Sequence, residues 1–342
     1  MTPEVCERIK NQVKVFKTLT STHRHVEFTV GARWWDQADA GDFLMALCPR
    51  YEREFIERWA RDGRLSADGV VIAADARLAP GQKVELHVPL PPPDPGFVIP
   101  PLEVLWADEH LACLNKASGH LAHQAGQIMT GTLLNQIQDW HQASTGGPAE
   151  DIRLVNRIDR DTSGIVLASR HLAAHVALSA ALMDRQVDKE YLAICHGVPN
   201  PRLGHWRFPI GIPKPGSSLR CVQPGAQESH TEFLVEDEAP GFALLRLKLH
   251  TGRQHQIRVH AAHAGHPLVG DWCYGQPCAE LPGQALHAAR LAFAHPLKPM
   301  TVNVEAPLRD DLARLWAQVK AGTPPTPRDL TEDQQSKLRN GR

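Results

Sequence analysis

The chain has 342 residues, of which 42% are hydrophobic and 22% charged, and its formal net charge at pH 7 is −1. This composition is ordinary for a globular enzyme of two or three domains. The neutral balance excludes the overall basic excess that many nucleic-acid binders carry, so any basic surface must be local.

Compartment can be predicted from three further absences. No stretch approaches the ~20 apolar residues of a membrane span, and residues 1–16 contain no apolar run of signal-peptide length. The seven cysteines include no C-x-x-C pair, which suits reduced thiols. We therefore expect a soluble, cytoplasmic protein without a membrane partner.

The N-terminal part divides into an extension, residues 1–40, and a small module, residues 41–88. The module's pattern predicts two helices followed by two short strands, LSADGVVI and KVELHV, which are joined through Ala79-Pro80-Gly81. This order resembles a small RNA-binding module shared by a ribosomal small-subunit protein and many RNA-modifying enzymes, in a degenerate form. The arginines of the second helix alternate with glutamates at i,i+4 spacing. An RNA-binding face and a solvated, ion-paired helix both remain open.

A proline-rich segment, residues 89–101, predicts an extended linker. A large domain follows over residues 102–320, and the polar tail, residues 321–342, is expected to be disordered. Within the large domain, alternation predicts strands over 102–116, 165–169, 189–197 and 242–250.

Helical patterns lie between these strands, and one of them has a predicted apolar face of Leu172, Val176, Ala180, Met183 and Val187. Other helices are predicted over 132–143, 254–265 and 312–320. Strands and helices do not alternate in a β-α-β rhythm. The large domain is therefore predicted to be α+β, with a mixed, largely antiparallel sheet and flanking helices.

The segment RLVNRIDRDTSGIVLASR, residues 153–170, has the densest chemistry. Two carboxylates, Asp159 and Asp161, lie among arginines just before a buried strand. Such a position holds a carboxylate on a rigid edge, and nearby arginines favour its charged form. This suits a nucleophile or an electrostatic stabiliser. A charged turn with a hydrogen bond into the Thr-Ser-Gly loop is the alternative.

RIDRDTSG resembles the H-R-L-D-x-x-T-S-G signature of the RluA-like pseudouridine synthases. The family's catalytic aspartate falls on Asp159 and its arginine on Arg157, while Asn156 replaces the family's histidine and Ile158 its leucine. Further matching segments occur in the family's order. They are DEHLACLNKASG, VDKEYLAICHG, HTEF, LHTGRQHQIRVHAAHAGHPLVGDWCYG and LHAARLAFAHP. An ordered set of this length is far more specific than one short motif.

The resemblance implies isomerisation of uridine to pseudouridine in a structured RNA, without a cofactor. It implies a catalytic set of Asp159, Tyr191 and Arg258, in which Arg258 pairs with Asp159 and the ring of Tyr191 lies against the uracil. Arg157 is expected to fill the place of a flipped base, and Ile257 to offer an apolar wall. The chain has neither of the common nucleotide-binding glycine motifs. Ribosomal RNA is expected before transfer RNA, and a monomer is the default.

Three other interpretations of the sequence can be compared with this one. His255, His260, His263 and His266 cluster around one helix, but the spacing of His260, His263 and His266 does not place three imidazoles on one helical face, so no metal is predicted. A glycosidase with Asp159 and Asp161 as its carboxylate pair would share the bond type. A non-catalytic RNA-binding or ribosome-assembly factor is the third.

Overall fold

The computed structural model describes residues 15–19, 23–30, 39–47, 52–89, 98–123, 131–147, 149 and 151–341. Contacts divide the chain into two compact units, one of residues 1–97 with 126–131 and one of residues 98–125 with 132–342. None of the helices in these ranges is long and apolar enough to cross a membrane. The predicted proline-rich linker lies largely outside the described residues.

The first unit contains the two predicted helices, but the first predicted strand, residues 65–72, is a two-stranded hairpin with Asp68-Gly69 at its turn. Its helices are α1 (Ala40–Leu47) and α2 (Arg53–Arg61), and its strands are β1 (Val15–Leu19), β2 (His23–Thr29), β3 (Leu65–Ala67), β4 (Val70–Val71) and β5 (Lys83–Pro89). They form one antiparallel sheet in the order β1-β2-β5-β3-β4. Because β2 pairs with all of β5, the extension predicted before residue 41 contributes two strands to the module's sheet.

Arg53 shows how the charges of α2 are used. Its guanidinium contacts Asp39 at 2.5 Å, Asp42 at 3.0 Å and Glu57 at 3.0 Å. This arginine is therefore engaged by carboxylates of its own unit. RNA binding by the module stays a prediction.

The second unit is built on a ten-stranded sheet. Its strands are β6 (Glu103–Ala107), β7 (Leu111–Lys116), β8 (Arg153–Leu154), β9 (Ser163–Ser169), β10 (Asp188–His196), β11 (Leu203–Trp206), β14 (Thr231–Ala239), β15 (Phe242–Leu249), β16 (Leu286–Ala294) and β17 (Thr301–Glu305). The order is β11-β14-β15-β10-β16-β9-β7-β6, with β17 beside β16 and β8 beside β9. A separate pair joins β12 (Ile210–Gly211) to β13 (Cys221–Val222). The β16–β9 contact is parallel and the other described pairs are antiparallel, which confirms the predicted α+β class.

Gly164 makes the parallel contact possible. It lies beside Ala288 of β16 with φ +104°, and a Cβ atom there would lie 2.2 Å from the Ala288 carbonyl oxygen. Only glycine fits such a backbone at such a distance. The glycine of the Thr-Ser-Gly motif therefore places β9, and the turn before it, at the middle of the sheet.

The helices of this unit are α3 (Leu133–Thr145), α4 (Leu172–Met183), α5 (Gln256–His263), α6 (Asp310–Lys320) and α7 (Glu332–Gly341). The predicted face of α4 is wrong. Leu172, Val176 and Met183 are 54%, 61% and 77% exposed, whereas Ala174 and Leu178 are buried. The helix is apolar on all sides, so periodicity alone could not select the face that packs.

The expectation of a disordered tail is also corrected. Helix α7 begins with a capping box, in which the Gln334 backbone N–H donates to Thr331 Oγ1 and the Thr331 N–H donates to Gln334 Oε1. Upstream, the Thr326 backbone N–H donates to Glu280 Oε1 at 2.9 Å, and Ala279 N–H donates to the Thr326 carbonyl at 2.8 Å. Polar composition concealed these contacts, because they depend on residues distant in sequence.

Candidate active site

Asp159 lies in the turn that joins β8 to β9, and the side chain of Lys116 bonds to the backbone of this turn. Lys116 ends β7, is fully buried, and its Nζ donates to the carbonyl oxygens of Arg160, His120 and Ala117 at 2.7–2.8 Å. Burial lowers the pKa of Lys116 to about 7, against the opposing charges of Asp161 and Asp159. The turn is therefore anchored to the sheet through its backbone.

Arg258 connects the turn to α5. Its Nη1 donates to Asp159 Oδ2 at 3.0 Å, and its side chain is 5% exposed against 24% for Asp159. Its Nε and Nη2 donate to Asp271 Oδ2 and Oδ1 at 2.7 and 2.8 Å. Burial alone would lower the pKa of Arg258, but the two carboxylates outweigh it and raise the pKa well above its usual value. The guanidinium remains charged between them.

Asp271 was missed in the sequence analysis, although it lies in the matched segment GDWCYG. Its side chain is fully buried, and Oδ1 also accepts from the backbone N–H groups of Cys273 and Tyr274 at 3.0 and 3.2 Å. Each of these bonds restrains the carboxylate that holds Arg258. A buried carboxylate with this many donors is a positioning group.

Tyr274 and His255 pack beside Arg258 and Asp159. The Tyr274 hydroxyl lies 2.7 Å from His255 Nδ1, and its ring lies 5.1 Å from the Arg258 guanidinium carbon. His255 Nε2 lies 3.9 Å from Asp159 Oδ2. Burial lowers the pKa of His255 to about 4 although Asp159 opposes this, so the imidazole is neutral at pH 7. His255 therefore adds no competing positive charge beside Asp159.

Tyr191 and Ile257 form the apolar side of the site. Tyr191 is on β10 and Ile257 on α5; both are buried and belong to the same hydrophobic cluster. Burial, together with the charge of Asp159, raises the pKa of the Tyr191 phenol far above its usual value. The phenol is therefore neutral under ordinary conditions.

Arg157 and Asn156 precede Asp159 in the turn. Arg157 is exposed and has no hydrogen bond or ion pair within the described part of the chain, so its guanidinium is available to a ligand. Asn156 Oδ1 accepts the backbone N–H of Leu167 at 2.7 Å. The residue that replaces the family's histidine thus ties the turn to β9.

A cavity of about 510 Å³ brings together the five residues selected from sequence: Arg157, Asp159, Tyr191, Ile257 and Arg258. A second cavity of about 610 Å³ also reaches Asp159, and Arg157, His255 and Arg258 line both. The cations around the first are Arg157, Arg185, Lys189, Arg253 and Arg258, whereas Asp159 is its one carboxylate among the described residues. The chain, although nearly neutral overall, therefore carries a strongly cationic pocket.

The structure also locates the residues of the two alternative sites, the Asp159–Asp161 carboxylate pair and the histidines considered for a metal. Asp161 is buried, and its carboxylate accepts from Arg160 Nε at 2.9 Å; it lines the second cavity with Asp159 but not the first. His260 is fully buried, with its nitrogens 3.0 Å from Thr231 Oγ1 and 2.9 Å from the Phe208 carbonyl. Within the described ranges, no group of His, Cys, Asp and Glu could hold a metal ion.

The second unit has the fold of a pseudouridine synthase. The fold is similar to that of the solved structure "Human RNA Pseudouridylate Synthase Domain Containing 4", with a TM-score of 0.52 and 22% identity over 69% of this chain and 93% of that one. A family model described as RNA pseudouridylate synthase matches residues 110–263.

Two curated relatives identify the family to which the chain belongs. RNA pseudouridine synthase YlyB of Bacillus subtilis is 34% identical over 80% of this chain and 91% of its own length. Ribosomal large subunit pseudouridine synthase D of Xylella fastidiosa is 32% identical over 81% and 87% of the two chains. The chain belongs to the RluA-like family of RNA pseudouridine synthases and is an isomerase that acts on uridine in RNA.

Proposed function

We propose that this enzyme converts uridine to pseudouridine in ribosomal RNA of the large subunit, with Asp159 as its essential carboxylate. The observation that carries the proposal is the pairing of Asp159 with the buried Arg258 at 3.0 Å, inside a cavity whose other charged groups are cationic. The name of the Xylella relative supports ribosomal RNA as the substrate.

The reaction asks little of the protein beyond one charged group and a shaped pocket. The bond from uracil N1 to the ribose breaks, the base turns, and ring carbon C5 forms the new bond. The C5 proton leaves and N1 gains a proton, so atoms and electrons balance without a redox partner. Asp159 can attack the anomeric carbon or the base, or assist departure of uracil. In each case Arg258 fixes the orientation of its carboxylate.

The uracil must stay in the site while it is detached. Tyr191 and Ile257 line the cavity beside Asp159 and provide ring and aliphatic surface for the base. Because the phenol of Tyr191 is neutral, it does not repel the electron-rich detached uracil. Exclusion of water by these buried side chains favours return of the base to the sugar over its loss.

The cationic residues account for the RNA. A stacked uridine must be flipped into the cavity, which costs a few kcal/mol. Arg157 is exposed and has no hydrogen-bond or ion-pair partner among the described residues, so its planar guanidinium can stack on neighbouring bases or bind phosphate. Arg185, Lys189 and Arg253 add phosphate-binding charge around the same opening.

Pseudouridine mapping of total cellular RNA tests this function. A strain that lacks the protein is compared with strains that carry wild type, Asp159→Asn, or the control Asp329→Asn, an exposed carboxylate that lines neither cavity. We expect one or a few large-subunit sites to vanish and to return with wild type and the control alone. Unchanged maps would refute the proposal, and loss confined to transfer RNA would refute the ribosomal substrate.

A further inference from the structure

Three histidines lie together at the ends of neighbouring strands. His205 is on β11, His230 directly precedes β14 and His250 directly follows β15. The rings of His230 and His250 are stacked, with centroids 4.1 Å apart and planes 12° from parallel. His205 Nδ1 lies 3.1 Å from His230 Nε2. We call these three residues the histidine cluster.

The cluster adjoins the active site. His250 lines the cavity that contains Asp159, and Arg253 lines it three residues further along the chain. The charged groups that face the cluster are Glu232, whose Oε2 lies 3.0 Å from His250 Nε2, the nearby Arg207, and Lys248, which contacts Asp188 at 2.8 Å. Each carboxylate here has a cationic or imidazole partner, so an approaching phosphate meets little uncompensated negative charge.

The stacking geometry favours a planar ligand over a metal ion. Imidazole lone pairs lie in the ring plane, and two parallel rings 4.1 Å apart cannot direct them to one ion. Each stacked ring, in contrast, keeps one flat face that the other ring does not cover, and His250 is the ring that lines the cavity. Burial and the charges of His250 and Arg207 lower the pKa of His230 to about 4, so this ring is neutral at pH 7.

We propose that the histidine cluster is a stacking platform for an RNA base adjacent to the target uridine. This rests on the proposed function, because the ligand is the strand whose uridine enters the cavity. Unstacked RNA bases are commonly held on aromatic side chains, histidine included, with flanking cations on the phosphates. Here Arg253 and Arg207 supply those cations. A flipped uridine leaves its neighbour without a stacking partner, and His250 at the rim replaces it.

The test uses short single-stranded RNA with a central uridine and 2-aminopurine on its 5′ or 3′ side, since this base loses fluorescence when it stacks. We expect wild type to quench one of the two RNAs. His250→Ala should abolish quenching and weaken binding about tenfold, and His250→Phe should retain both. The control is His263→Ala, an exposed histidine that lines neither cavity.

Unchanged quenching with His250→Ala would overturn the proposal, as would absence of quenching with wild type. If His250→Gln retains quenching and RNA binding but His250→Phe does not, His250 acts through a hydrogen bond and not through stacking. Circular dichroism and thermal unfolding verify that each variant is folded. Pseudouridine formation is measured on the same samples with large-subunit RNA. If His250→Ala still forms pseudouridine and still quenches 2-aminopurine, the stacking platform alone is refuted. If wild type quenches 2-aminopurine but forms no pseudouridine, the proposed function alone is refuted.

Discussion

Asp271 and Arg258 form a buried, two-point ion pair, with Nε–Oδ2 and Nη2–Oδ1 distances of 2.7 and 2.8 Å. The pair occupies one edge of the guanidinium and leaves Nη1 to reach Asp159 at 3.0 Å. Asp271 itself lines neither cavity, yet it determines where the guanidinium can lie.

Replacing Asp271 by Asn tests this arrangement. The amide keeps the shape but loses the charge and one of the two acceptors, so Arg258 can shift away from Asp159. We expect kcat to fall about 100-fold, because small misplacements of reacting groups have effects of this size, with KM for RNA nearly unchanged. Steady-state kinetics with large-subunit RNA separates the two parameters. Asp271→Glu should recover part of kcat; a change confined to KM would contradict a positioning role.

Arg157→Lys should slow turnover about tenfold, although it preserves charge. Lysine cannot stack its head group on a base or bind a phosphate with two parallel hydrogen bonds. Since Arg157 is exposed and without a partner among the described residues, the melting temperature should not change. Arg314→Lys, an exposed position on α6 that lines neither cavity, is the matched control. Equal rates for the two variants would exclude a role for the guanidinium plane.

Lys116 predicts a pH dependence of stability. Its pKa is lowered to about 7 in the folded state from an ordinary 10.5, so between these values the unfolded chain binds more protons. The free energy of unfolding contributed by this group therefore rises with pH across that window, by up to about 1.4 kcal/mol per unit. Below pH 7 both states are protonated and the contribution is constant.

Urea unfolding of wild type and Lys116→Met at pH 6, 7.5 and 9 measures the difference. We expect the stability of wild type to rise relative to the variant above pH 7. The variant should also be less stable at every pH, because three backbone carbonyls lose their donor. Parallel pH profiles of the two proteins would show that the lysine does not titrate in this range.

Gly164→Ala should prevent stable folding of the second unit. The new Cβ would meet the Ala288 carbonyl oxygen at 2.2 Å, in a backbone conformation that alanine disfavours. Gly225 has a comparable φ of +77° but nothing within 4 Å of its virtual Cβ, so Gly225→Ala isolates the conformational cost of about 1–2 kcal/mol. Soluble yield and melting temperature compare the two, and equal destabilisation would mean that β9 and β16 can separate without penalty.

Local patterns predicted much of the second unit. Alternation along residues 242–250 predicted a strand, and β15 lies there with Leu245 and Leu247 fully buried. The same logic failed for α4, because a helix with apolar residues on every side contains no signal for the side that packs. The prediction from polar composition failed for the tail, because Thr326 and Arg328 donate hydrogen bonds to Glu280 and to the Cys278 carbonyl.

The sequence by itself determined the family and the strand that follows Asp159, because a motif is a contiguous pattern whose spacing can be read along the chain. It also indicated that Arg258 pairs with Asp159, through the resemblance. The tertiary structure alone decided that Asp271 holds that arginine and that His205, His230 and His250 lie together beside the cavity. Such contacts join residues whose distance depends on sheet order and register, and no local periodicity encodes either.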